Sequence, residues 1–168
     1  TAKLLAELRA LGIERIVLAT GDRQEVARFV ANGLGFDQVR SDLTPDQKIL
    51  VVLSERKNGP VMMIGDGVND APALATANIG VAMGAAGSAV AVETADIALM
   101  GDDLLKLPEA ISLAKRTVNN MRQNITIAMI TVTLLLVGVL FGGVTMAIGM
   151  LVHEASVLIV IINAMRLL

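Results

Sequence analysis

The sequence predicts an α/β fold with a Rossmann-like parallel sheet, followed by an α-helical transmembrane hairpin. Three observations carry this. Short apolar runs alternate with helix-period segments through residues 1–102, the pattern of strands joined by crossover helices. One such run, Val61 to Ile64, ends in a loop of glycines and carboxylates, Gly65-Asp66-Gly67-Val68-Asn69-Asp70-Ala71-Pro72. From Gln123 to Val152, thirty consecutive positions carry no charge, more than the roughly 20 residues that one bilayer crossing requires.

The elements follow in order. Leu4, Leu5, Leu8 and Leu11 share a helical face that Gly12 closes. Ile16-Val17-Leu18-Ala19 is a compact strand leading into Thr20-Gly21-Asp22. Helix periodicity resumes through Val26, Phe29 and Val30 and ends near Gly33–Gly35, before a short strand around Val39. Thr44-Pro45 opens a helix, with Thr44 as cap and Pro45 in the first turn, running to about Lys57 and broken by Asn58-Gly59-Pro60. The Val61–Ile64 strand and its loop come next, with Pro72 early in the following helix. Ile79–Met83 and Ile97–Met100 read as strands with a helix over Ser88–Thr94 between them, and a connecting helix covers 103–122. The membrane part, 123–168, divides into spans at about 124–142 and 145–166, joined near Gly142-Gly143.

Charge follows the same division. The chain has 168 residues, 54% apolar and 2% aromatic, with net charge −2. Residues 1–122 hold 13 basic and 15 acidic side chains, whereas 123–168 hold only Arg166 and Glu154, besides His153. A near-neutral soluble part gives no reason to expect nucleic acid as a partner. There is no cysteine, hence no disulfide and no thiolate metal site in this sequence. Lys115, Arg116 and Arg122 flank one end of the hairpin and Arg166 the other. The positive-inside rule then places both ends, and the soluble part, on the cytoplasmic side of a plasma or inner membrane. Thr1 opens directly into a helix pattern, so the chain reads as a piece of a longer polypeptide whose remainder lies upstream.

The residue types at the strand exits suit phosphate chemistry. Phosphoryl transfer needs the phosphate charge neutralised and its oxygens held by fixed donors. Thr20 and Gly21 can offer a hydroxyl and a backbone N–H, Lys48 a point positive charge, and Asn69 an amide. Asp66 can hold Mg²⁺, with Asp70 as a second ligand or support, because Mg²⁺ takes one or two carboxylates together with phosphate oxygens. Gly80-x-x-x-Gly84-x-x-Gly87 lacks the phosphate-loop pattern and reads as tight packing. In the membrane part, the ionisable pair His153-Glu154 marks a pathway or binding site. Imidazole with carboxylate suits a borderline divalent ion such as Co²⁺ or Zn²⁺. Ser156 and Met150 are further candidate donors.

Gly65-Asp66-Gly67-Val68-Asn69-Asp70-Ala71-Pro72-Ala73-Leu74 resembles the hinge motif of P-type cation-transporting ATPases, members of the haloacid-dehalogenase-like superfamily. Thr20-Gly21-Asp22 and Pro45-x-x-Lys48 are similar to the family's neighbouring motifs, with Arg23 where many members have Asn. The resemblance implies that the soluble part belongs to a phosphorylation domain. Thr20, Gly21, Asp22 and Lys48 then serve an aspartyl phosphate, Asp66 holds Mg²⁺, and Asn69 and Asp70 support it. Ser88–Leu99 and Arg122-Gln123-Asn124 resemble the family's descent into its last membrane helices. The tail from His153 to Leu168 resembles the last helix of heavy-metal pumps. There, His-Glu is closest to the cobalt-type subgroup, while zinc/cadmium members carry Asp at position 153 and a Lys near Val132. Ala155 and Val157 depart from the cobalt-type motif.

The family's Asp-Lys-Thr-Gly-Thr, Thr-Gly-Glu and Cys-Pro-Cys motifs and its ATP-binding domain are absent from this sequence, so the chain by itself is not expected to turn over ATP. The leading expectation is therefore the C-terminal part of a metal-exporting pump, using ATP bound elsewhere in the polypeptide, Mg²⁺ and a divalent cargo. Two other readings stay open: a soluble haloacid-dehalogenase-type phosphatase with an apolar tail, and a non-catalytic membrane module that binds metal.

Overall fold

A computed structural model describes residues 1–65, 68–83, 89–101 and 103–167. Asp66, Gly67, Gly84, Gly87 and Ser88, singled out above, lie outside the described residues. The chain divides into two units, Thr1–Glu109 and Ala110–Leu168.

In the first unit, helix α1 (Ala2–Ala10) buries Leu4, Leu5 and Leu8. Its end is a Schellman motif: the Ile13 N–H donates to the Leu8 carbonyl and the Gly12 N–H to that of Arg9. Gly12 has φ +87°, a conformation that suits glycine because it lacks a Cβ. Strand β1 (Val17–Ala19) pairs parallel with β2 (Gln38–Arg40), and α2 (Gln24–Ala31) is the crossover between them. Helix α3 (Pro45–Arg56) begins with the expected cap at Thr44. The Thr44 hydroxyl accepts from the Gln47 N–H at 3.3 Å, and the Gln47 side chain accepts from the Thr44 N–H at 2.9 Å.

Strand β3 (Met62–Gly65) leads through a single 3-10 turn (Val68–Asp70) into α4 (Ala71–Thr76). Strands β4 (Ile79–Met83) and β5 (Ile97–Leu99), separated by α5 (Ala89–Thr94), complete a parallel sheet in the order β3-β4-β5. β4 is its centre, and Val81 and Ala82 are fully buried. A Cβ on Gly80 would lie 2.9 Å from the Leu74 carbonyl oxygen. Glycine at that position is what lets α4 rest on the strand, with Leu74 and Ala82 packed against Met63 and Ala95.

The strands do not form one continuous sheet. β1 pairs only with β2 and β3 only with β4, so each retains an edge without a partner strand among the described residues. β1 is accordingly half-buried throughout, as is β3 up to Ile64, unlike β4. α2 buries only Ala27, and Val26, Phe29 and Val30, which share one face, are 50%, 85% and 55% exposed.

Ion pairs tie the loop before β1 to its surroundings. Arg9 bonds Asp37, Arg15 Nε donates to Glu55 at 2.6 Å, and the Ile16 N–H donates to Asp37 at 2.6 Å. The Ile16 N–H first, and Arg9 second, hold the Asp37 carboxyl below its ordinary range. The hydrogen bond from Arg15 does the same for Glu55, and Glu55 in turn raises the guanidinium of Arg15.

In the second unit the chain reverses between two long helices. α6 (Lys106–Leu140) enters it from the first unit without a break, and α7 (Met146–Met165) follows a turn at Gly142, φ +70°. Both are long and apolar enough to cross a membrane: an 18-residue stretch of α6 has a mean hydropathy of 2.0, and one of α7 a mean of 1.9. Between residues 123 and 165 most of their large apolar side chains, among them Leu134, Leu136, Leu158 and Ile162, are exposed. Asn120, Asn124, Ile127, Thr131, Leu135 and Gly138 recur at three- and four-residue spacing as the shielded side of α6. At the turn a Cβ on Gly138 would overlap the Val144 side chain, so this glycine admits the returning chain.

Candidate phosphate site and candidate metal centre

The soluble candidates sit at the carboxyl ends of parallel strands, where open α/β sheets place ligands. After β1 the chain turns on itself: the Thr20 hydroxyl donates to the Asp22 carboxylate at 3.0 Å and accepts from the Asp22 N–H at 3.1 Å. The loop after β2 folds back over this turn. The Asp42 N–H donates to the Asp22 carbonyl at 2.8 Å, and the Leu43 N–H to that of Thr20 at 3.1 Å. Asp42 makes this approach at φ +55°, a left-handed conformation that Asp tolerates better than most residues. Gly21 eases this approach, since a Cβ would stand 3.2 Å from the Leu43 carbonyl oxygen.

The same loop delivers Lys48 through the first turn of α3. Its Nζ meets Asp70 Oδ1 at 2.6 Å, with side-chain exposures of only 16% and 11%. Asp70 therefore joins the exit of β3 to the start of α3. At the other side of its carboxylate stands Gly65, whose Cβ, if present, would lie 2.7 Å from that of Asp70 and 3.1 Å from Oδ2. Lys48, expected as a phosphate contact, and Asp70, expected at the cation, are thus brought into direct contact with each other. Asn69 is exposed beside them. Among the described residues no hydrogen bond links Thr20 or Asp22 to Lys48 or Asp70. The donor set at the β3 exit is all oxygen apart from the lysine, which fits a hard cation such as Mg²⁺.

Sequence reasoning missed three features of this site: the Lys48–Asp70 pair, the room Gly65 leaves for it, and the left-handed Asp42. Only Asp42 had a local signal, an aspartate beside a cap sequence. Lys48 and Asp70 come together from the exits of separate strands, and the room at Gly65 has a use only once Asp70, five residues on, folds back against it.

In the second unit His153 and Glu154 are both exposed on consecutive positions of α7, which are about 100° apart around a helix. They therefore face different directions. Ser156 is the one buried residue of α7, at 9% exposure, while Met150 is 64% exposed and faces outward. No group of three or more His, Cys, Asp or Glu gathers among the described residues.

The haloacid dehalogenase-like hydrolase family matches residues 1–78. Over nearly its whole length, the chain is related to cation-transporting P-type ATPases. It is 44% identical over 99% of its length to the manganese-exporting P-type ATPase of Mycobacterium tuberculosis. Against the probable cadmium-transporting ATPase of Listeria monocytogenes it is 40% identical over 98% of its length. It spans about a quarter of these relatives, 23% of each. The crystal structure of a zinc-transporting PIB-type ATPase in the E2.Pi state superposes on 99% of the chain with a TM-score of 0.90 and 39% identity, the match covering 27% of that structure. The chain thus pairs a haloacid dehalogenase-like α/β part with two membrane-length helices, and over nearly its whole length it is similar to one part of such pumps.

Proposed function

We propose that this chain is the C-terminal part of a pump that exports a divalent heavy-metal ion, driven by ATP through an aspartyl phosphate. The observation that carries the reading is the Lys48–Asp70 pair, a shielded lysine and carboxylate at 2.6 Å at the ends of parallel strands. In this reading, Lys48 neutralises phosphate charge and is itself aimed by Asp70. Thr20 and Gly21 hold phosphate oxygens, Asp22 fixes the Thr20 hydroxyl, and Asn69 adds an amide donor. Asp66 and Asp70 hold Mg²⁺, which when bound offsets the charge of the transferring phosphate. The phosphorylated Asp and the ATP-binding domain lie upstream in the same polypeptide. The unpaired edges of β1 and β3 support this, because each can accept a strand. Residues 103–122 connect the phosphorylation domain to the membrane, with the soluble part in the cytoplasm, and alone the chain does not hydrolyse ATP.

The cargo reading rests on His153 and Glu154, whose imidazole and carboxylate suit Co²⁺ or Zn²⁺. Ser156 and Met150 are secondary candidates. The relatives are named for manganese, cadmium and zinc, all divalent ions. Because His153 and Glu154 diverge around α7, the remaining ligands come from other membrane helices of the whole protein. The test is ATP hydrolysis by the full-length protein in membrane vesicles, with Zn²⁺, Co²⁺, Mn²⁺ or Cd²⁺ added. Stimulation by one or more ions, together with ATP-dependent loading of inverted vesicles, is expected. Hydrolysis indifferent to all four ions would contradict the reading.

A further inference from the structure

Four amide side chains meet where α6 and α7 come together at the end of the hairpin opposite the turn. Asn120, only 7% exposed, donates from Nδ2 to the Asn163 main-chain carbonyl at 2.6 Å. Its Oδ1 accepts from Asn124 Nδ2 at 3.0 Å. Asn163 Nδ2 donates to Gln123 Oε1 at 3.1 Å and to Asn124 Oδ1 at 2.9 Å, while its Oδ1 accepts from Arg166 Nη1 at 3.2 Å. Three of these five bonds cross from one helix to the other.

The shielded sides of both helices are otherwise apolar or small, and membrane helices packed through such sides have little to choose between neighbouring registers. Amide hydrogen bonds are directional, so they choose one. At the turn, the contact of Val144 with Gly138 holds the other end of the hairpin. His153 and Glu154 lie between these two fixed points, roughly 15 Å along the helix from Asn163 at the α-helical rise.

We infer that this amide clasp positions the ion-binding turn of α7, with Asn163 as the positioning residue. It sets the axial register and rotation of α7 against α6, and through the helix backbone it aims His153 and Glu154. The inference rests on the reading that those two residues bind the transported ion.

The test is a metal titration of ATP hydrolysis by the full-length pump in membrane vesicles, with Zn²⁺, Co²⁺, Mn²⁺ and Cd²⁺ in turn. Asn163→Ala raises the half-activating concentration of the preferred ion by about three- to tenfold and leaves the apparent KM for ATP unchanged. Asn120→Ala shifts it in the same direction by less, and carries the test if Asn163→Ala fails to accumulate. Thr133→Ala, whose hydroxyl bonds the Met129 carbonyl of its own helix, leaves half-activation where it was. A clasp that served folding alone would lower the saturating rate with the quantity of active pump and leave half-activation unmoved, and that result overturns the inference. His153→Ala, run alongside, separates the two failures. If it shifts half-activation while the asparagine variants do not, only the clasp is wrong. If neither it nor they shift it, the ion-site reading has failed and takes the clasp with it.

Discussion

Gly65 and Asp70 occupy the same small space at the end of β3: a Cβ on the glycine would stand 2.7 Å from the Cβ of the aspartate. The carboxylate is thereby held where Lys48 reaches it. Gly65→Ala forces Asp70 to move, and overpacking of this kind costs about 1–3 kcal/mol. A lowered thermal midpoint of the chain in detergent checks the stability effect, and loss of ATP hydrolysis in the full-length protein checks the displacement.

Removing either partner of the Lys48–Asp70 pair strands a charge that is mostly shielded from water. Lys48→Met and Asp70→Leu are each expected to cost about 2–4 kcal/mol, while the double variant costs less than the sum. Denaturant unfolding of the four proteins in the cycle measures this. Additive costs would mean that the two side chains do not interact.

The loop before β1 makes stability depend on acid. Asp37 and Glu55 titrate below their ordinary values because of the Ile16 N–H, Arg9 and Arg15. A carboxyl whose folded value is depressed contributes stability above its unfolded value, near 4, and loses that contribution as pH falls through the lower folded value. The first unit should therefore hold constant stability from neutral pH down to about 5 from these groups, and weaken below about 4. Asp37→Asn should flatten that acid limb, which unfolding midpoints taken across pH will reveal. Asp37 is exposed and Glu55 largely shielded, so added salt should reduce the contribution of Asp37 more than that of Glu55.

Gly80 is another glycine set by packing. Gly80→Ala drives a methyl toward the Leu74 carbonyl oxygen, 2.9 Å away on the backbone of α4. A backbone atom yields less readily than a side chain, so the expected loss is about 2–3 kcal/mol. Thermal unfolding of the same chain tests it.

Much of this fold was legible in the sequence because its signals are local. Thr44, Pro45 and Gln47 specify the start of α3 within four residues, and the structure contains the complete capping box. Gly12 ends α1, and the uncharged run marks the hairpin. Other features hid because they join distant residues. Lys48 and Asp70 are 22 positions apart, and Asn120 and Asn163 are 43 apart. Neither carries a mark of its partner. Val26, Phe29 and Val30 show the opposite case: their spacing announces an amphipathic helix, yet periodicity says nothing about what covers the apolar face. The division of the strands into two pairing groups was invisible for a related reason, since alternation of strands and helices does not reveal which strands are neighbours.

The most direct measurement follows phosphate. Full-length protein in membranes is incubated with ATP labelled on the γ-phosphate, with and without Zn²⁺, Co²⁺, Mn²⁺ or Cd²⁺, and acid-quenched. A hydroxylamine-sensitive phosphoprotein is expected whose formation requires one of these ions, and whose ion requirement shifts to higher concentration in His153→Ala. A phosphoprotein that forms equally without any added ion, or one that His153→Ala leaves unchanged across all four, would contradict this expectation.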